Sequence, residues 1–245
     1  MRQYKTFSEL KLLSKRQMSG HTGILICALI VQELILFLAS SLVVSFIPGT
    51  DILSNILYYV VTFIIQLLSG LLQAGCCLMY LNCACNMPFH IGNLFHCFTN
   101  NPDKVIKIEL LLAVINCICM LPSDILIWMN PNTLSYDQLL FIAFVTMLCT
   151  LLYALITLAF VPVFYIMFDY PQFTVREIYQ KSMQVMKGNK IRYLLLQLSF
   201  FPWFLLSMFT LCIPLFWVVP YMNMTNTNFY LDIMAASNRQ SENIY

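Results

Sequence analysis

The 245-residue chain is 60% hydrophobic and only 10% charged, with a formal net charge of +2 and a mean hydropathy of +0.77. That balance excludes an ordinary soluble globular domain, and so small a net charge gives no electrostatic reason to expect nucleic acid as a partner. Strands of alternating polarity are absent, which argues against an outer-membrane barrel. What remains is an all-α membrane protein, built from apolar runs of about 20 residues or more that can each cross a hydrocarbon core of about 30 Å.

Taken in order, the chain begins with Arg2, Lys5, Lys11, Lys15 and Arg16, and this concentration of positive charge places the N-terminus in the cytoplasm. Phe7, Leu10, Ser14 and Met18 recur at helical spacing, as the expected membrane-facing side of a lead-in helix over residues 1–22. Span one covers residues 23–47. It is too long for the apolar core of a signal peptide and carries Glu33. Pro48-Gly49-Thr50-Asp51 then makes a turn without Lys or Arg. Span two covers residues 52–85, where Gly70 and Ala74 form a small-residue pair that lets another helix approach closely. Residues 88–107 are a polar interruption in which Ile91, Leu94, Phe95 and Phe98 give one apolar face, the mark of an interfacial helix. Span three follows over residues 108–129 with a kink at Pro122, then a turn at Asn130-Pro131-Asn132-Thr133, and span four over residues 138–168 with Pro162 near its cytoplasmic end.

The longest polar interruption is residues 169–192. Thr174 and Glu177 stand at the spacing of a capping box just after Pro171. Val175, Ile178, Tyr179, Ser182, Val185 and Met186 share one face of the predicted helix, and Arg176, Glu177, Gln180, Lys181, Gln184 and Lys187 the other. Gly188-Asn189 can close it, since both residues tolerate the left-handed conformation. Its basic face, Arg176, Lys181, Lys187 and Lys190, suits the plane of a membrane surface. Span five covers residues 193–211 with Pro202-Trp203 inside it, and Cys212-Ile213-Pro214 turns the chain into a sixth run over residues 214–236. Asn223, Thr225, Asn226, Thr227 and Asn228 make that last run poor on hydropathy, so it is expected to pack them against other helices.

With six spans and an internal N-terminus, all 13 Lys and Arg residues lie on the cytoplasmic side, whereas a five-span arrangement moves Arg239 outside. The expected architecture is therefore a single polytopic domain over residues 1–245. It comprises a bundle of about six transmembrane helices over residues 23–236, short cytoplasmic interfacial amphipathic helices, and a cytoplasmic tail at 237–245.

Several segments resemble a bacterial integral membrane family called domain of unknown function family 975. They are Glu9-Leu10-Lys11, Leu94-Phe95-His96-Cys97-Phe98 and Asp169-Tyr170-Pro171; toward the C-terminus, Ser182-Met183, Met186-Lys187-Gly188, Leu198-Ser199-Phe200, Pro202-Trp203, Pro220-Tyr221 and Phe229-Tyr230. The resemblance covers nearly the whole chain and implies a polytopic membrane protein with no assigned reaction.

Glu33, beside Gln32 near the middle of span one, is read as the one deep intramembrane acid. Such a residue is by default a functional candidate, for a proton or cation relay or for ligand contact. The plainer reading is a protonated carboxyl bonded to Gln66, Gln73, Asn116 or Gln197. Cys83, Cys85, His90, His96 and Cys97 are soft ligands near the cytoplasmic surface, but their spacing matches no established zinc motif; packing and lipid attachment compete, and no metal or cofactor is assigned. The other cysteines lie mostly in apolar runs as small packing residues. His-Glu-x-x-His, Gly-x-Ser-x-Gly and phosphate-binding glycine motifs are missing, and Tyr136-Asp137 lacks the Gly-x-Gly-Asp partner of an intramembrane aspartyl site. The expectation is a non-enzymatic plasma-membrane protein that binds a lipid, a hydrophobic ligand, a partner membrane protein or a second copy of itself. A small transporter or accessory subunit of an export system is the alternative.

Overall fold

A computed structural model describes residues 4–47, 52–129, 135–210 and 213–242. Among the described residues regular structure is helical throughout. The chain starts with helix α1 (Phe7–Met18), where Thr6 caps the first turn and Glu9 reaches back to the Thr6 amide in a reciprocal capping box. There follow the long helices α2 (Thr22–Phe46) and α3 (Ile52–Ala84), a short 3-10 turn (Ile91–Phe95), α4 (His96–Thr99), α5 (Pro102–Met129) and α6 (Tyr136–Thr157). The chain ends with α7 (Val163–Asp169), α8 (Val175–Met186), α9 (Lys190–Leu198), α10 (Phe201–Phe209) and α11 (Leu215–Glu242).

Two regions differ in how they satisfy their apolar surface. Helices α2, α3, α5 and α6 form a row in which α3 packs between α2 and α5, and α6 packs chiefly on α5. Much of this row is left uncovered by the described residues: in α6 only Ile142 and Cys149 are buried, and among the described residues of α3 burial begins only at Gly70. Leu34, Phe37, Leu53, Ile64, Ile118, Phe144 and Leu151 stand outward, as lipid-facing residues do. The remaining helices gather round the last turns of α3 into a protein-covered core. Leu10, Leu94, Val105, Ile108, Ile166, Ile178, Met186, Leu196 and Phe200 are fully buried there, each contributing about 1.5–3 kcal/mol relative to exposure to water. Helix α11 runs through this core and touches α1, α2, α3, α8 and α10.

Span four is not one helix. It ends at Thr157, and after a turn α7 begins at Val163, capped by Pro162, which has no amide to continue the ladder. The break carries the chain out of the row, so that Val163, Phe164, Tyr165, Ile166 and Met167 are all buried in α7. Span five is likewise divided at Ser199-Phe200, ahead of Pro202 in the first turn of α10. Span three continues helically through Pro122 to Met129. The turns expected at Pro48-Gly49-Thr50-Asp51 and Asn130-Pro131-Asn132-Thr133, together with Cys212 and the tail beyond residue 242, lie outside the described residues.

The amphipathic segments also depart from expectation. On α8 the buried side chains are Ile178, Tyr179, Ser182, Val185 and Met186, the predicted apolar face, but protein rather than lipid covers it: α8 packs on α5, α7 and α11. Leu10, Ser14 and Met18 of α1 are buried in the same way, with α1 docked on α11. Between residues 88 and 107 the face divides, since the 3-10 turn sends Leu94 inward while Ile91, Phe95 and Phe98 stay about 40% exposed.

Candidate functional site

Helices α3 and α5 run antiparallel, and the residues they turn toward each other are unusually polar for apolar helices. Asn55, Tyr59, Thr62, Gln66 and Gly70 recur at spacings of three and four on α3, as do Glu109, Ala113, Asn116, Met120 and Asp124 on α5, so each set lies on one helix face. At one end Gly70 meets Glu109, with no room for a β-carbon between them. From Gln66 onward the helices part, leaving a crevice of about 660 Å³ lined by Tyr58, Thr62, Gln66, Asn116, Met120 and Asp124. A second hollow of about 460 Å³, between Asn55, Ile56, Leu121 and Ile125, continues it past Tyr59, Cys117 and Asp124. Thr62 is spent, its hydroxyl donating to the Tyr58 carbonyl at 2.8 Å. The side chains of Gln66, Asn116 and Asp124 make no hydrogen bond among the described residues. Val60 and Ile64 on the same walls are half exposed, so the crevice opens sideways onto the face where lipid would lie.

Glu109 ties this seam to the core. Its carboxylate is close enough to act on Tyr153 of α6 and Tyr179 of α8. Tyr179 donates to the Ile108 carbonyl at 2.6 Å; burial pushes the Tyr179 phenol up, and the Glu109 charge adds to that. The helix that the sequence singles out as amphipathic is thus docked beside the acid at the seam's inner end.

The polar residues of α11 do find partners. Asn228 donates to Ser14 Oγ at 2.9 Å and to Gln17 Oε1 at 2.7 Å, and Gln17 donates to the Ala84 carbonyl at 2.9 Å. Thr227 donates to Tyr165 at 3.1 Å, Gln197 donates to Asn226 at 2.6 Å, and Tyr230 donates to Asp169. Arg192 pairs with Asp232 at 2.7 Å, and the same carboxylate accepts from the Lys5 amide at 3.3 Å. These bonds fasten α1, α7, α9 and α11 together and use up the polar groups they join, so they serve the fold.

Glu33 is exposed on α2 and bonds to none of Gln66, Gln73, Asn116 or Gln197. Its neighbour Gln32 is the buried one, donating to Gln73 Oε1 at 3.3 Å and accepting from Cys76 Sγ at 2.7 Å. The cysteines and histidines disperse. Cys83 faces the Gln17 carbonyl, Cys97 is buried in the core, His96 bonds within its own turn to Asn100, and Cys85 and His90 are exposed. Among the described residues no three metal-ligating side chains stand together. Arg176, Lys187 and Lys190 are exposed along α8 and the start of α9, with Lys181 half-buried. Sequence reasoning passed over Glu109 and Asp124, two further acids inside a spanning-length helix. The signal that would have found them is their shared face with Asn116.

Among the described residues the geometry defines an α-helical protein with five helical segments long and apolar enough to cross a membrane, Thr22–Phe46, Leu53–Ala84, Pro102–Ile127, Tyr136–Thr157 and Lys190–Phe209, the last made of α9 and α10. Helix α11 is long enough but too polar to count among them. The chain belongs to the family described as protein of unknown function (DUF975), which it matches over residues 1–237. No curated protein and no solved structure gives a significant match.

Proposed function

We propose that this chain is a non-enzymatic membrane protein that binds a lipid-like amphiphile in the lateral crevice between α3 and α5. The observation that carries the reading is the set of unbonded polar groups, Gln66, Asn116 and Asp124, inside a crevice whose rim is apolar. An isolated amide or carboxylate facing hydrocarbon is costly. A ligand head group that donates hydrogen bonds to these residues, with its tail along Val60, Ile64 and Ile127, removes that cost. The one-sided placement of Lys and Arg supports a plasma-membrane orientation with the N-terminus inside, the basic side of α8 at the cytoplasmic surface and α11 as a sixth crossing element that relies on its partners rather than on hydropathy.

The test is native mass spectrometry of the purified chain. A discrete lipid-sized adduct is expected, and it should disappear when Gln66→Leu and Asn116→Leu remove the head-group contacts. An adduct pattern unchanged by those substitutions would contradict the reading.

Transport is the second reading, and one observation favours it: Glu109 and Asp124 stand on the same face of α5, about 22 Å apart along its axis, with Asn116 between them. Acids so placed suit a cation or proton pathway. Uptake or efflux in proteoliposomes that Asp124→Asn abolishes without unfolding the protein would favour this reading over simple binding.

A further inference from the structure

A different groove, of about 500 Å³, lies where the corner between α1 and α2 meets the hairpin of α10 and α11. Lys15, Ser19 and Thr22 line one side, and Trp203, Trp217 and Tyr221 the other. We infer that this groove holds the head group of an anionic phospholipid, its phosphate on Lys15 and its glycerol end against the two indoles.

The inventory of donors and acceptors carries the assignment. Thr22 is spent on the Met18 carbonyl at 2.8 Å, and Tyr221 on the Lys11 carbonyl at 3.2 Å. Lys11, one turn before Lys15, is also engaged: its ammonium donates to the Ser199 carbonyl at 3.2 Å and lies 4.3 Å over the Phe200 ring. Lys15 is exposed, and among the described residues its ammonium has no hydrogen-bond or ion-pair partner. The Ser19 hydroxyl and both indole N–H groups are likewise unbonded. The groove therefore offers donors and a positive charge, and among the described residues no carboxylate lines it. That chemistry fits a phosphate diester. It disfavours a quaternary ammonium, which the aromatic rings alone would attract but which Lys15 repels. Trp203 and Trp217 are 49% and 56% exposed, so both rings are open to a ligand in the groove. The site is separate from the α3–α5 crevice and does not depend on it.

The chain has three tryptophans, so Trp128→Phe leaves fluorescence from the groove alone. This protein is placed in nanodiscs of equal parts phosphatidylglycerol and phosphatidylcholine, with either one or the other brominated on its acyl chains as a contact quencher. Brominated phosphatidylglycerol is expected to quench more strongly, reflecting a local enrichment of about fivefold from one lysine near the surface. Lys15→Gln should equalise the two lipids, whereas Lys190→Gln, on another exposed surface, should leave the preference intact. Equal quenching in the parent, or a preference that survives Lys15→Gln in protein eluting as a single folded species, would overturn the inference.

Discussion

Gly70 and Glu109 meet across the seam of α3 and α5 so closely that a β-carbon on Gly70 would lie 2.5 Å from Glu109 Cγ and 2.7 Å from its Cβ. Gly70→Ala therefore forces Glu109 or the helix pair to move, at a cost of about 1–3 kcal/mol. Adding Glu109→Ala removes the 2.5 Å contact but keeps the β-carbon at 2.7 Å, so it should recover only part of that loss in thermal unfolding in detergent. Gly75→Ala is a contrasting case, since the new carbon would meet the Leu94 carbonyl oxygen at 2.0 Å. That atom is backbone, so no side-chain substitution should rescue it. Equal rescue at both glycines would show that the contacts are misassigned.

Arg192 and Asp232 are both largely buried, and Arg192 Nη1 has no partner among the described residues. Removing one member leaves a buried charge, so Asp232→Asn or Arg192→Ala should each lose roughly 3–5 kcal/mol. Arg192→Met combined with Asp232→Leu should lose clearly less than the two single losses together. Simple additivity, read from the same melts, would mean that the pair does not act as a unit.

Gln32 and Glu33 are neighbours with opposite surroundings. Gln32→Leu breaks the contacts to Gln73 and Cys76 and should lower stability by about 0.6–1.7 kcal/mol. Glu33→Gln should leave the melting temperature unchanged because the carboxylate bonds to nothing among the described residues. A loss at Glu33 equal to that at Gln32 would restore it as a buried partner.

These cases mark how far the amino-acid sequence could be read. The faces of α1 and α8 were legible because apolar and polar residues alternate at helical spacing, and the Thr174/Glu177 box is formed as its spacing requires. Periodicity says which face is apolar, however, and not whether lipid or protein covers it. The burial of Leu10, Ser14 and Ile178 against α11 and its neighbours therefore had to come from the structure. Span one is apolar almost all round, so nothing in it sets the rotation that buries Gln32 and exposes Glu33, one residue and about 100° apart. The crevice was harder still. Glu109 and Asp124 acquire meaning only once α3 is seen to turn Gln66 and Gly70 toward them.

The capping box at α8 makes a prediction about pH. The Thr174 backbone amide and then the Thr174 hydroxyl hold the Glu177 carboxyl below its ordinary value of 4.5. A depressed carboxyl stabilises the folded chain fully above that value, and the contribution disappears as pH falls through the lower folded value. In a carbon-13 NMR titration Glu177 should titrate below 4.5 and shift part of the way back in Thr174→Ala. A midpoint at or above the ordinary value in the parent would mean that the box is not formed in solution.

The most direct test of the central claim places a photo-crosslinking amino acid at Cys117, on the wall of the crevice, and in a second protein at Leu148, on the exposed side of α6. Both proteins are irradiated in native membranes and their adducts weighed by mass spectrometry. Binding in the α3–α5 crevice predicts one discrete amphiphile at Cys117 and only the bulk lipid mixture at Leu148. The same bulk mixture at both positions would contradict it.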